Sequence, residues 1–119
     1  MTPAARGLAA VQLLDVLGNL VMPSSVIDTH LDRLGLARGV RPFLQPVKIA
    51  GSLGLILGEA HPPIGAASAI GLVGFYAGAV RFHVRAGDHP LVAAPAAALG
   101  VTAAALALHF ASRMNPRVE

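Results

Sequence analysis

Ile64-Gly-Ala-Ala-Ser-Ala-Ile-Gly-Leu-Val-Gly-Phe-Tyr-Ala-Gly-Ala-Val-Arg-Phe-His-Val84 carries no charge before Arg81, and Pro62 and Pro63 stand directly in front of it. A bilayer core about 30 Å thick takes about 20 apolar residues in a helix rising about 1.5 Å per residue. This stretch is long enough to cross one. A proline at the first helical position gives up an N–H that would have no partner there anyway. The reading is a membrane helix that starts at the double proline.

Three further apolar runs lie around it: Leu8–Val26, Phe43–Ala60 and Leu91–Ala111. The connections are residues 27–42, the corner at Glu59-Ala60-His61-Pro62-Pro63, and Arg85–Pro90. Together they predict an all-α fold, an integral membrane four-helix bundle forming one membrane domain over residues 1–119. Composition points the same way. Charged residues make up 13% of the chain, against about 25% in a soluble domain, and mean hydropathy is +0.65. That excludes a disordered, collagen-like or coiled-coil chain. Cysteine is absent, which excludes disulfides, thiolate nucleophiles and Cys-based metal sites within this chain.

The net charge of +3 does not imply nucleic acid. The arginines stand at the ends of apolar runs, with no aromatic residues alternating with them to stack on bases. The expected partner is the lipid bilayer. Arg33, Arg38, Arg41, Arg81 and Arg85 share one side of the four spans, against Arg6, Arg113 and Arg117 on the other. This predicts a multi-pass protein of the cell membrane with both termini outside the cytoplasm. The first run does not read as a cleaved leader, because Asp15 interrupts it and no small-residue cleavage site follows. Gly54–Gly58 and Gly74–Gly78 are both GxxxG pairs, extended by Gly51 and Gly71, and predict close helix contacts.

Ionisable groups at membrane depth are costly and therefore mark candidate sites. Gln12, Asp15 and Asn19 recur at spacings of three and four, which places them on one helical face. They read as a ligand-facing stripe or as a structural hydrogen-bonded network. Gln45 and Lys48 share a face at the start of the second span; Lys48 either snorkels to the interface or pairs with Asp15. Tyr76, Arg81 and His83 follow on the third. His83 can move protons near neutrality, so Asp15 and His83 are candidate acid and base, with Lys48 or Tyr76 polarising an oxygen. Gln12, Asn19, Gln45 and Arg81 are candidate ligand contacts. Asp88 after Gly87 reads as a turn or helix cap, and His109 with Arg113 as an interfacial edge. No His-x3-His pair, G-x-S-x-G or P-loop is present, so no metal is expected.

Leu34-Gly35-Leu36, Pro46-Val-Lys48-Ile-Ala-Gly51, the Pro62-Pro63 corner, the Gly71–Gly78 helix and His83 followed by Ala86-Gly87-Asp88 occur in an order that resembles the DoxX-like family of small four-helix bacterial membrane proteins. The resemblance implies Lys48, His83 and Asp88 as the family's polar marks. It also implies kinship with the small subunit of an archaeal thiosulfate:quinone oxidoreductase and with proteins of oxidative-stress responses. The expected function is an accessory or lipophile-binding subunit of a membrane oxidoreductase system, with quinone as a candidate cofactor and a second copy or another membrane subunit as partner. The alternative is a small intramembrane enzyme, an isomerase or epoxide-opening type, acting on a lipophilic small molecule. A proton-coupled transporter is a third, and it requires dimerisation.

Overall fold

The computed structural model describes residues 3–114; Arg117, counted in the charge balance above, lies outside them. The chain is all-α, 86% helical, with no strand among the described residues. Its helices are α1 (Pro3–Val21), α2 (Ser24–Leu34), α3 (Leu44–Leu57), α4 (Pro62–Arg85) and α5 (Pro90–Met114), with a 3-10 turn at Arg41–Phe43 before α3. As the sequence predicted, α4 starts at the double proline and α5 at Pro90.

Three helices, α1, α4 and α5, are long and apolar enough to cross a membrane. The second expected span is shorter than predicted: α3 has 14 residues and rises about 21 Å, less than a bilayer core. The first ends at Val21 and not at Val26, because Pro23 has no N–H to continue the helix. The stretch 27–42, expected to be a plain connection, holds most of α2. There Ile27, Leu31 and Leu34 form a half-buried stripe, while Asp28, Asp32 and Arg33 stay exposed. Gly35 closes α2 at φ 75°, and the Leu36 N–H reaches back to the Leu31 carbonyl at 3.1 Å. That is a Schellman stop, which a left-handed glycine makes without strain.

Helices α1, α3, α4 and α5 touch in a closed circuit: α1 with α3, α3 with α4, α4 with α5, and α5 with α1. Leu8, Leu55, Leu72, Tyr76, Leu106 and Phe110 fill the space between them. The closest approach runs along the first GxxxG pair. A Cβ on Gly58 would lie 2.5 Å from the Gly65 Cα, and one on Gly65 would lie 2.7 Å from the Phe110 ring. Gly51 likewise faces Leu72, at 2.7 Å from where its Cβ would be. The second pair behaves differently. A Cβ on Gly71, Gly74 or Gly78 would meet nothing within 4 Å, so these glycines seat no neighbouring helix within the chain.

The outer surface is apolar. Helix α5 buries only Ala103, Leu106 and Phe110, while its Leu91, Val101 and Leu108 are each more than 70% exposed. Large apolar side chains exposed along the length of a helix match a lipid solvent. Gly65→Ala is expected to force the Phe110 ring aside and cost about 1–3 kcal/mol, read as a lowered Tm in detergent. Gly71→Ala, placed in open space, should leave Tm unchanged or slightly raised.

Candidate functional site

The stripe on α1 meets polar partners on two other helices. Gln12 is buried, and its Nε2 donates to Ser52 Oγ of α3 at 2.9 Å. The Tyr76 hydroxyl of α4 donates to Gln12 Oε1, also at 2.9 Å. One amide thus joins three helices, and both ends of it are satisfied. One turn further along α1, Asp15 accepts a hydrogen bond and ion pair from Lys48 Nζ. Lys48 does not snorkel: its side chain is 10% exposed and turned to the carboxylate. Asn19 closes the stripe with a local bond, its Nδ2 donating to the Asp15 carbonyl at 2.8 Å. Gln45, one turn before Lys48, has its Oε1 buried without a hydrogen-bond partner.

A second cluster forms where α4 ends. Gly87 takes φ 75°, and the Asp88 N–H bonds to the His83 carbonyl at 3.1 Å. This Schellman closure returns the Asp88 side chain to the helix it follows. Its Oδ2 then lies 2.7 Å from His83 Nδ1, and Arg33 of α2 pairs with the same carboxylate, Nη2 to Oδ2 at 3.3 Å. Asp88 is therefore not a cap for α5; His89 does that, its Nδ1 accepting the Leu91 N–H at 3.1 Å. The Arg33 guanidinium, and His83 after it, pull the Asp88 carboxyl down to about 2. The carboxylate in turn raises Arg33 above its ordinary value. The His30 ring stands 6.1 Å from that of His83. Partial burial, then the charge of Arg33, hold His30 below its ordinary value.

Both clusters open onto one cavity of about 1200 Å³, walled by α1, α2, α3, α4 and the start of α5. Most of its wall is apolar, with Val11, Leu31, Phe75, Phe82 and Leu99 among the lining side chains. Gln12, Asp15, Asn19, Gln45, Lys48, Tyr76 and His83 all line it, so seven of the eight candidate residues share one space. Arg81 does not; it is exposed on the far side of α4. Gly74 and Gly78 also line the cavity, which explains the open space at their missing Cβ atoms. They make room where a neighbouring helix was expected. Ser52 and Arg33 had gone unassigned. Ser52 was legible as the residue one turn beyond Lys48, whereas Arg33 could be placed only once α2 was known. Among the described residues, no three His, Cys, Asp or Glu side chains come together as a metal site.

A model of the DoxX-like family matches residues 5–108. The chain belongs to the DoxX-like family. Lys48, His83 and Asp88, the polar marks that the resemblance implied, each hold an ion pair or charged hydrogen bond in this member. No curated protein and no solved structure matches the chain. Family membership and the three membrane-capable helices identify a membrane protein.

Breaking a buried ion pair from one side leaves a charge without compensation. Asp15→Asn is expected to cost about 1–3 kcal/mol, less than a fully buried pair because the Asp15 side chain is 54% exposed. Adding Lys48→Met should recover most of that loss of Tm. The Asp88 linkage has a definite sign. Its folded value lies below the ordinary 3.8, so its contribution is complete above that pH and is lost as pH falls toward about 2. Thermal unfolding between pH 6 and pH 2 should therefore show a smaller acid loss in Asp88→Asn than in the parent.

Proposed function

We propose that this DoxX-like protein is a four-pass protein of the cell membrane whose cavity holds a lipophilic small molecule. In this reading it serves as an accessory or lipophile-binding subunit of a membrane oxidoreductase system, with a quinone as one ligand of that class. The observation that carries the reading is the cavity itself: about 1200 Å³, apolar over most of its wall, with polar side chains from three helices converging on it. Ligand sites have this make-up, since apolar area supplies affinity and a few placed polar groups fix orientation. The short α3 crosses together with the 3-10 turn before it and the turn after it. The apolar outer faces meet lipid, a second copy or a partner membrane subunit.

A second reading is favoured by one contact. His83 holds its Nδ1 against the Asp88 carboxylate, the arrangement in which a carboxylate orients a histidine as a general base. With Lys48 or Tyr76 polarising an oxygen and Asp15 as a second proton carrier, the same cavity would serve an isomerase or epoxide-opening reaction. Tyr76 and His83 stand two turns apart on α4, about 10 Å, so such a substrate would have to reach along the helix.

Native mass spectrometry with an absorption spectrum of gently extracted protein tests the first reading. A stoichiometric lipophile is expected in the parent and not in Gly78→Leu, whose side chain fills the cavity without meeting a neighbouring helix. Empty parent protein, or equal occupancy in Gly78→Leu, would contradict it.

A further inference from the structure

The polar groups of the cavity wall are unevenly partnered. On its deep wall the Tyr76 hydroxyl donates to Gln12, the Gln12 amide to Ser52 and the Lys48 ammonium to Asp15, while at the α2 side Arg41 Nη1 is buried without a hydrogen bond and faces Asp28 at 3.7 Å. Two acceptors are left over. Gln45 lines the cavity, and its buried Oε1 has no hydrogen-bond partner. The second is on His83. A carboxylate only accepts, so the contact of Asp88 with Nδ1 at 2.7 Å places the proton on Nδ1. In the neutral imidazole Nε2 is then an acceptor. His83 lines the cavity and Asp88 does not; with Nδ1 held by Asp88, Nε2 is the ring nitrogen left for a ligand.

The buried, unfilled Gln45 Oε1 is a standing cost that a ligand donor removes and a ligand acceptor does not. We propose that the cavity selects lipophiles that carry a hydroxyl group, an alcohol or a phenol. The O–H donates to His83 Nε2, and Gln45 Oε1 takes a second hydroxyl where the ligand has one. Asp88 and Arg33 are positioning residues: the carboxylate fixes the tautomer of His83, and the guanidinium holds the carboxylate. The inference rests on the lipophile-binding reading of the same cavity and adds to it the polarity of the ligand's head group.

Two probes with one apolar body separate the claims: para-nonylphenol, and para-nonylanisole, its methyl ether. Equilibrium dialysis of each against the full chain in detergent is expected to show the phenol bound about tenfold more tightly, the worth of one good hydrogen bond. His83→Phe should abolish most of that preference. Gln45→Leu, on a different helix, reports the second acceptor through a third probe, 4-nonylcatechol: its second hydroxyl should tighten binding to the parent relative to para-nonylphenol and should not do so in Gln45→Leu. Asp88→Asn, which can donate to Nδ1 and so move the proton to Nε2, should shrink the preference for the phenol; a purely structural role would weaken both probes alike. Equal affinities in the parent would overturn the donor selection while leaving the cavity reading intact. So would a preference that survives His83→Phe. Failure of both probes to bind would overturn the lipophile-binding reading, and this inference with it.

Discussion

A buried lysine ammonium needs a counter-charge, and the pairing of Lys48 with Asp15 meets that need. The expense of an uncompensated buried charge fixes how α1 and α3 face each other. Once Asp15 is turned to Lys48, Gln12 lies one turn away on the same face and reaches both Ser52 and Tyr76. Three helices are thereby registered by groups that have no good alternative partner in lipid. Glycine contacts complete the arrangement, since α3 and α4 close through Gly58 and Gly65 against Phe110. The polar cluster sets rotation, and the small residues set distance.

The cavity follows from the unequal use of glycine along α4. Near its start, Gly65 brings backbone and ring into contact; near its end, Gly74 and Gly78 leave space unfilled. Helix α2 borders that space with Ile27, Leu31 and Leu34, and the Arg33–Asp88 pair ties it to the end of α4. A second tie holds the other end of the segment, where Arg41 Nη2 donates to Asp32 and to the Leu36 carbonyl. The result is an apolar chamber with one polar wall and a helix fastened beside it by ion pairs.

The sequence disclosed the long apolar helices α1, α4 and α5, because lipid solvent imposes length and composition at once. It disclosed the polar wall in part: polar groups within apolar runs stand out as needing partners, while the choice between a structural network and a ligand-facing stripe stayed open for Gln12, Asp15 and Asn19. Other features were hidden for physical reasons. Helix α2 is short and carries charge, so a scan for membrane-length runs passes over it, although Gly35 and the Ile27-Leu31-Leu34 spacing mark it. The role of Asp88 depends on the left-handed Gly87, which turns a residue resembling a cap back toward His83. The two GxxxG pairs look alike in sequence; only the tertiary path decides that one seats a helix and the other borders a cavity.

The central claim is that lipid faces the outside of this bundle and a ligand chamber lies within it. The chain has no cysteine, so single introduced cysteines report their surroundings without background. Ala79→Cys lines the cavity, and Leu108→Cys stands on the exposed apolar face of α5. Reaction with a membrane-impermeant, water-soluble maleimide in reconstituted vesicles opened to both sides tests the claim most directly. The account predicts that Ala79→Cys reacts and is protected by a bound lipophile, while Leu108→Cys stays unreactive. A reactive Leu108→Cys beside an inert Ala79→Cys would contradict it.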